Sequence, residues 1–263
     1  MDRDTAKGLD RRAVERPGSV DFDAAAAALS AADPVVRIEV TGAFSAVANS
    51  DPDRAGQYLD ALAPCLDDDH TEVRTNATHT FGAVAKSDPD GVGHYLDALV
   101  AVLDDSTAAV RRNATFAFGE VAKTDASRVA PYAEALGPCL GDATDSVRTN
   151  VAFLFRRVAA AAPGTVGRQL GTLVEHLGDT NATVRRNLTL AFAGVAAADP
   201  QRVEPYLDDI EPRLADNNER VQGAAAAVFR AVEGADDGAT SVTGTRIYRP
   251  ESSAGASEEP DAE

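Results

Sequence analysis

The chain has no tryptophan, one methionine and two cysteines in 263 residues. Two cysteines cannot knit a disulfide framework, which excludes a small stapled secreted fold. Lysine is scarce too: Lys7, Lys86 and Lys123 are all there are, and every other base is arginine. No run of about 18 apolar residues occurs, so no membrane-spanning helix is expected. The start, Met1-Asp2-Arg3-Asp4, leads into no apolar segment. A secretory leader is therefore not expected, and a cytoplasmic location is. Bases are outnumbered, 25 Lys and Arg against 42 Asp and Glu, for a net charge of −17. Phosphate repels a net anion, so neither nucleic acid nor an anionic membrane is an expected partner.

What the chain has in quantity is repetition. Phenylalanine falls at 44, 81, 118, 155, 192 and 229, each 37 residues after the last. Valine follows three residues later, from Val47 to Val232, and precedes by eight, from Val36 to Val221. Arginine follows that earlier valine at Arg37, Arg74, Arg111, Arg148 and Arg185, with Gln222 in the sixth copy. Leu29, Leu66, Leu103, Leu140, Leu177 and Leu214 form another column. Copies in such register, without an insertion, are structural repeats.

Each copy reads as two helices. Val73, Ala77, Thr80, Phe81 and Val84 share one helical stripe, and Leu59, Leu62 and Leu66 make a shorter one. Asp51-Pro52, Asp88-Pro89 and Asp199-Pro200 set an N-cap before a first-turn proline. Asp33, Thr107, Thr144, Asn181 and Asn218 share the column before the second helix and are cap types, with His70 the exception. No alternating run of β-branched residues persists, so no strand is expected. A lone helix pair cannot bury its stripe, whereas stacked pairs can. The expected fold is all-α: a right-handed solenoid of six helix pairs over 19–234, second helices innermost. A charged, partly ordered segment is expected over 1–18, and a disordered acidic tail over 235–263. Within that tail the basic and aromatic stretch Thr245–Pro250 is a candidate docking peptide.

The segment LDDDHTEVRTNATHTFGAVA at 66–85, with its copies, resembles HEAT repeats. Asp68 with Arg74, Asp105 with Arg111, Asp142 with Arg148 and Asp179 with Arg185 match that family's turn-Asp and Val-Arg pattern. The resemblance implies that these side chains form a ladder between neighbouring repeats. It also implies a protein that scaffolds or binds other proteins, although a fold does not by itself set function. The pattern departs at the ends, Ala31 with Arg37 and Asp216 with Gln222, which leaves the ladder open there. Asn76, Asn113, Asn150 and Asn187 form a column that resembles the asparagine ladder with which armadillo proteins grip a peptide backbone. Its place at the edge of the core favours bonds across the stack instead. The acidic, lysine-poor composition resembles proteins of salt-loaded cells, where concentrated salt screens carboxylate repulsion.

Advancing 100° per residue from Val73 aims positions 75, 78, 79 and 82 away from the core. Column 79 then lines up His79, Phe116, Phe153 and Leu190, an apolar track of the kind that marks contact. Residues 73–86, 147–160 and 184–197 hold no acid and 110–123 only Glu120, while Arg112, Lys123, Arg156, Arg157 and Arg186 gather there. The reading is a concave groove lined by His79, Phe116, Phe153 and Leu190 and rimmed by Arg112, Lys123, Arg156 and Arg186. It would hold a protein or peptide, since arginine's fork suits carboxylate and phosphate. Tight curvature would instead bury column 79 between helices.

No catalytic constellation, metal-ligand spacing or cofactor motif is found. Cys65 and Cys139 repeat with the lattice and read as buried thiols, and Tyr58, Tyr95, Tyr132 and Tyr206 as edge packing. The alternative is a HEAT-like enzyme accessory, such as the bilin-lyase-like branch, which would need a reactive pocket group.

Overall fold

The computed structural model describes residues 1–236; among these there are helices, turns and connections but no strand. The tail expected beyond 234, with Thr245–Pro250 inside it, lies outside the described residues except for the last turn of the final helix.

Six long helices form one layer: α1 (Pro34–Ser50), α2 (Thr71–Val84), α3 (Ala108–Thr124), α4 (Asp145–Ala161), α5 (Ala182–Ala196) and α6 (Glu219–Asp236). Each packs on the next in order. The Phe and Val columns build the core. Phe44, Phe81, Phe118, Phe155 and Phe192 are at most 2% exposed, whereas Phe229 is half-buried on α6, the last helix of the described residues.

The other layer differs from the expected single helix. Between α1 and α2 the chain forms Pro52–Gly56, Leu59–Leu62 and a 3-10 turn over Ala63–Asp67. The break falls at the Tyr column: Tyr58, with φ −115° and ψ 12°, stands outside helical geometry. That turn swings its ring onto Phe44, centroids 5.2 Å apart. Tyr95 on Phe81, Tyr132 on Phe118 and Tyr206 on Phe192 repeat the contact edge-on, a favoured aromatic geometry. The phenols also bridge repeats, Tyr95 donating to Asp60 and Tyr132 to Asp97 at 2.7 Å each.

A ladder of arginine and aspartate runs along one seam, offset by one repeat. Arg37 donates to Asp68, Arg74 to Asp105, Arg111 to Asp142, Arg148 to Asp179 and Arg185 to Asp216, with Nε–Oδ2 distances of 2.6–2.8 Å. Nη2 takes the second carboxylate oxygen in every rung. Nη1 reaches back to a turn carbonyl of its own repeat, Asp68 O from Arg74 and Asp105 O from Arg111. The offset settles the two ends left open by the sequence. The five junctions among the described residues use five arginines and five aspartates, with Ala31 in the aspartate column ahead of the first rung and Gln222 in the arginine column after the last. Gln222 keeps the internal half of the contact, donating to Asp216 O at 2.7 Å.

The same aspartates make the turns. Asp68, Asp105, Asp142, Asp179 and Asp216 accept the backbone N–H two residues on, at 2.7–3.0 Å. Thr107 and Thr144, expected as N-caps, make no side-chain cap bond. Asn181 does cap, accepting from Thr183 N.

Residues 1–18 join the core. Helices Arg3–Ala6 and Leu9–Glu15 bury Ala6, Leu9 and Ala13, and the second lies on α1. Gly8 links them at φ 68°, a left-handed conformation that glycine adopts without strain. Arg3 grips Asp33 through two bonds of 2.9 Å. The segment shields the first repeat's open face, as a terminal cap must.

Candidate functional site: the inner wall

The seam and the wall are neighbouring faces of the same helices. Arg111 on α3 faces the seam, and Arg112 is turned 100° from it. Arg112 is exposed; His79, Phe116, Phe153, Arg156, Arg186 and Leu190 are half-buried. The column is thus neither hidden between helices nor fully open. His79 and Phe116 lean over the preceding helix. Phe116 lies so close to Gly82 that a Cβ there would meet Phe116 Cδ1 at 3.3 Å. His79 Nδ1 sits 2.9 Å from Ser45 Oγ.

Between α2, α3 and α4 this leaves a cleft of about 270 Å³, lined by His79, Gly82, Lys86, Arg112, Phe116 and Asn150. Lys86 Nζ lies 5.3 Å from the Phe116 ring centre, and Arg156 Cζ lies 5.0 Å from that of Phe153. Both are cation–π contacts, which leave the cation's outer donors free. Burial, then the cations Lys86 and Arg112, hold the His79 imidazole below its ordinary pKa.

The wall differs from the seam in its partners. Arg112, Arg156 and Arg186 form no ion pair among the described residues, whereas each seam arginine holds a carboxylate. Arg112 has only a 3.4 Å contact to Asn113 Oδ1. Arg156 Nε is buried without a partner. Burial, then Arg186 and Arg157, push the Arg156 pKa down, as expected of a cation among cations.

Three expectations change. Lys123 leaves the group, because its ammonium grips Glu120 one turn back at 2.6 and 2.8 Å. Arg157 turns aside to cap the end of α3, donating to Ala122 O and Lys123 O at 3.1 and 2.8 Å. Column 78, aimed outward by the angular count, is buried: Thr41, Thr78, Thr115 and Thr189 are 0% exposed. The count treated a helix alone, and the flanking helices cover that sector. Each of these hydroxyls donates to the carbonyl four residues back, as Thr115 does to Arg111 O at 2.9 Å.

Those threonines explain the asparagines. Asn76 donates to Thr41 Oγ1 at 3.3 Å, Asn113 to Thr78 Oγ1 at 3.5 Å and Asn150 to Thr115 Oγ1 at 3.2 Å. These three bond across the stack. The pairing shows in the sequence as two columns 35 residues apart, which an outward-facing threonine column hides.

Larger clefts, of about 470 and 590 Å³, lie at outer turns beside Cys139 and Cys65. They recur with the lattice, and burial pushes both thiols up to about 11, away from the reactive thiolate. No group of three or more metal-ligating side chains occurs among the described residues, and none of their helices is long and apolar enough to cross a membrane.

Comparisons with known proteins agree with this geometry. The fold is a helical-repeat solenoid of the HEAT and armadillo class, and a family model for GCN1-like, C-terminal HEAT repeats matches residues 57–162. A computationally designed armadillo repeat protein for modular peptide recognition is 24% identical, with a TM-score of 0.70 over 80% of this chain and 99% of that one. A designed armadillo repeat protein in complex with the peptide (KR)4 is 21% identical, with a TM-score of 0.69 over 81% of this chain and 100% of that one. An engineered protein at 16% identity gives 0.73 over 88% of this chain and 64% of its own. No curated protein matches the sequence.

Proposed function

We propose that the protein is a non-catalytic scaffold that holds an extended, acidic segment of a partner protein along its inner wall. Phe116, Phe153 and Leu190 anchor apolar side chains, and Arg112, Arg156 and Arg186 clamp carboxylates. One observation carries this reading. In a chain of net charge −17, three guanidiniums on one face hold no carboxylate among the described residues, while five on the adjoining face hold at least one each. Arg156 and Arg186 are half-buried, and Arg156 lies against the Phe153 ring; a partly desolvated forked donor beside an aromatic ring is the usual making of a binding hot spot. A solenoid of this fold is known with a basic peptide, and here the wall has the opposite sign. The acidic exterior suits a cytoplasmic protein bathed in concentrated salt. There, ring burial outlasts the screening of long-range attraction.

The test is fluorescence anisotropy with a labelled peptide of alternating Glu and Leu, beside its Gln and Lys counterparts, in about 0.15 M and about 2 M KCl. The Glu peptide binds tightest, and Phe116→Ser with Phe153→Ser weakens it about tenfold or more with helicity unchanged. Equal affinity for all three peptides, or no binding, discards the reading.

A further inference from the structure

We infer that the α4–α5 junction of this wall is a notch for one anionic side chain, carboxylate or phosphoryl, with Arg156, Arg186 and Asn187 as its donors. The inference rests on the scaffold reading and gives the bound segment a register.

The argument begins with a break in the lattice. Asn76, Asn113 and Asn150 each find a threonine on the preceding helix. For Asn187 that position is Ala152. Asn187 is 4% exposed, yet its amide makes no hydrogen bond among the described residues. That amide is not among the polar groups sealed from solvent without a partner, so it keeps a point of contact with solvent at the wall.

Other lattice groups are missing at the same junction. Ala162 stands where Asp51, Asp88, Asp125 and Asp199 cap helices, and it makes no cap bond. Gln169 replaces the bridging tyrosine, and Gly171 stands where Tyr206 would find its aspartate, 35 residues back. These departures lie in the outer elements that join α4 to α5, the two helices whose inner faces carry Arg156 and Arg186. Such departures, where local rules fail together, are expected at functional positions.

The geometry gathers the donors. Arg156 is one helical turn beyond Ala152 on α4, and so shares its face. Arg186 adjoins Asn187 on α5 and acts electrostatically on Arg156. Arg156 Nε is buried and unpartnered, with the Phe153 ring stacked against the guanidinium. Two forks and an amide N–H, with no acceptor among the described residues, are satisfied by a group that only accepts. Carboxylate and phosphoryl oxygens are such groups; a neutral amide brings donors of its own.

Two measurements test this. In the first, side-chain Nε–H and amide resonances are followed by NMR while inorganic phosphate, then acetate, is added. Arg156 and Asn187 are expected to shift together and saturate. Ala152→Thr returns an acceptor to Asn187 and silences its response; Asn187→Ala serves if that variant does not fold. In the second, each Glu of the labelled peptide is changed in turn to Gln. One position costs about tenfold and the others about twofold or less, and Arg156→Gln levels the difference. No saturable phosphate response overturns the notch whatever the peptide does. Uniform losses along a bound peptide overturn it as the register point. A saturable response without peptide binding upholds the notch and discards the scaffold reading.

Discussion

Arg111 and Arg112 are adjacent in the chain and have opposite fates, as do Arg185 and Arg186. The first of each pair is folded into the seam, its fork closed on an aspartate of the next repeat. The second stands on the wall without a carboxylate among the described residues. The rings divide in the same way: Phe118 is 0% exposed in the core, and Phe116, two residues earlier, is half-buried on the wall. Each inner helix therefore has a face that holds the stack together and a face that does not. On the second face, departures from the repeat cost stability little.

The widest contrast should come from the two rings. Phe118→Ala is expected to cost about 4 kcal/mol, as large core truncations do, and Phe116→Ala only about 1 kcal/mol for its smaller buried area. Urea titration reads both, and equal losses would erase the division between core and wall. The arginines give the next contrast. Asp142→Ala leaves a seam guanidinium unpaired and should cost about 3 kcal/mol, while Arg112→Ala should stay within about 0.5 kcal/mol. A larger loss at Arg112 would mean that the wall is structural after all.

The third effect is smaller for each group and depends on pH. Hydrogen bonds from Arg111 and Arg185 come first in holding Asp142 and Asp216 below the ordinary carboxylate range. At Asp68, Asp105 and Asp179 burial pushes the carboxyl up, but guanidinium and turn N–H bonds outweigh it and leave the pKa lowered. A folded-state pKa below the unfolded one adds stability that is full above the unfolded value, about 3.9, and lost as pH falls through the folded value. Melting temperature should fall slightly from about pH 7 to 5, where the fold resists protonating His79, and more steeply below about pH 4, with part of the steep fall removed by Asp142→Asn. A protein that grows more stable on acidification would contradict the ladder's role.

Much of this was legible before any coordinates. The 37-residue period gave the stack, the Phe and Val columns its core, and the Val-Arg and turn-Asp columns both halves of the ladder. The offset of the ladder was not legible, because spacing within a copy cannot say whether Arg74 meets Asp68 or Asp105. Nor was the broken outer helix, where a tyrosine leaves helical geometry to reach a phenylalanine. The threonine column was misplaced outright: an angular count knows one helix, and its burial comes from two neighbours.

The sequence by itself determined that six like units must pile up, because no unit can hide its own apolar stripe. Only the tertiary structure decided which polar residues the pile consumes. Thr78, Arg111 and Asn150 are consumed and Arg112, Arg156 and Asn187 are left over, since a side chain's partner lies on the next repeat, at a distance the chain's own periodicity does not encode.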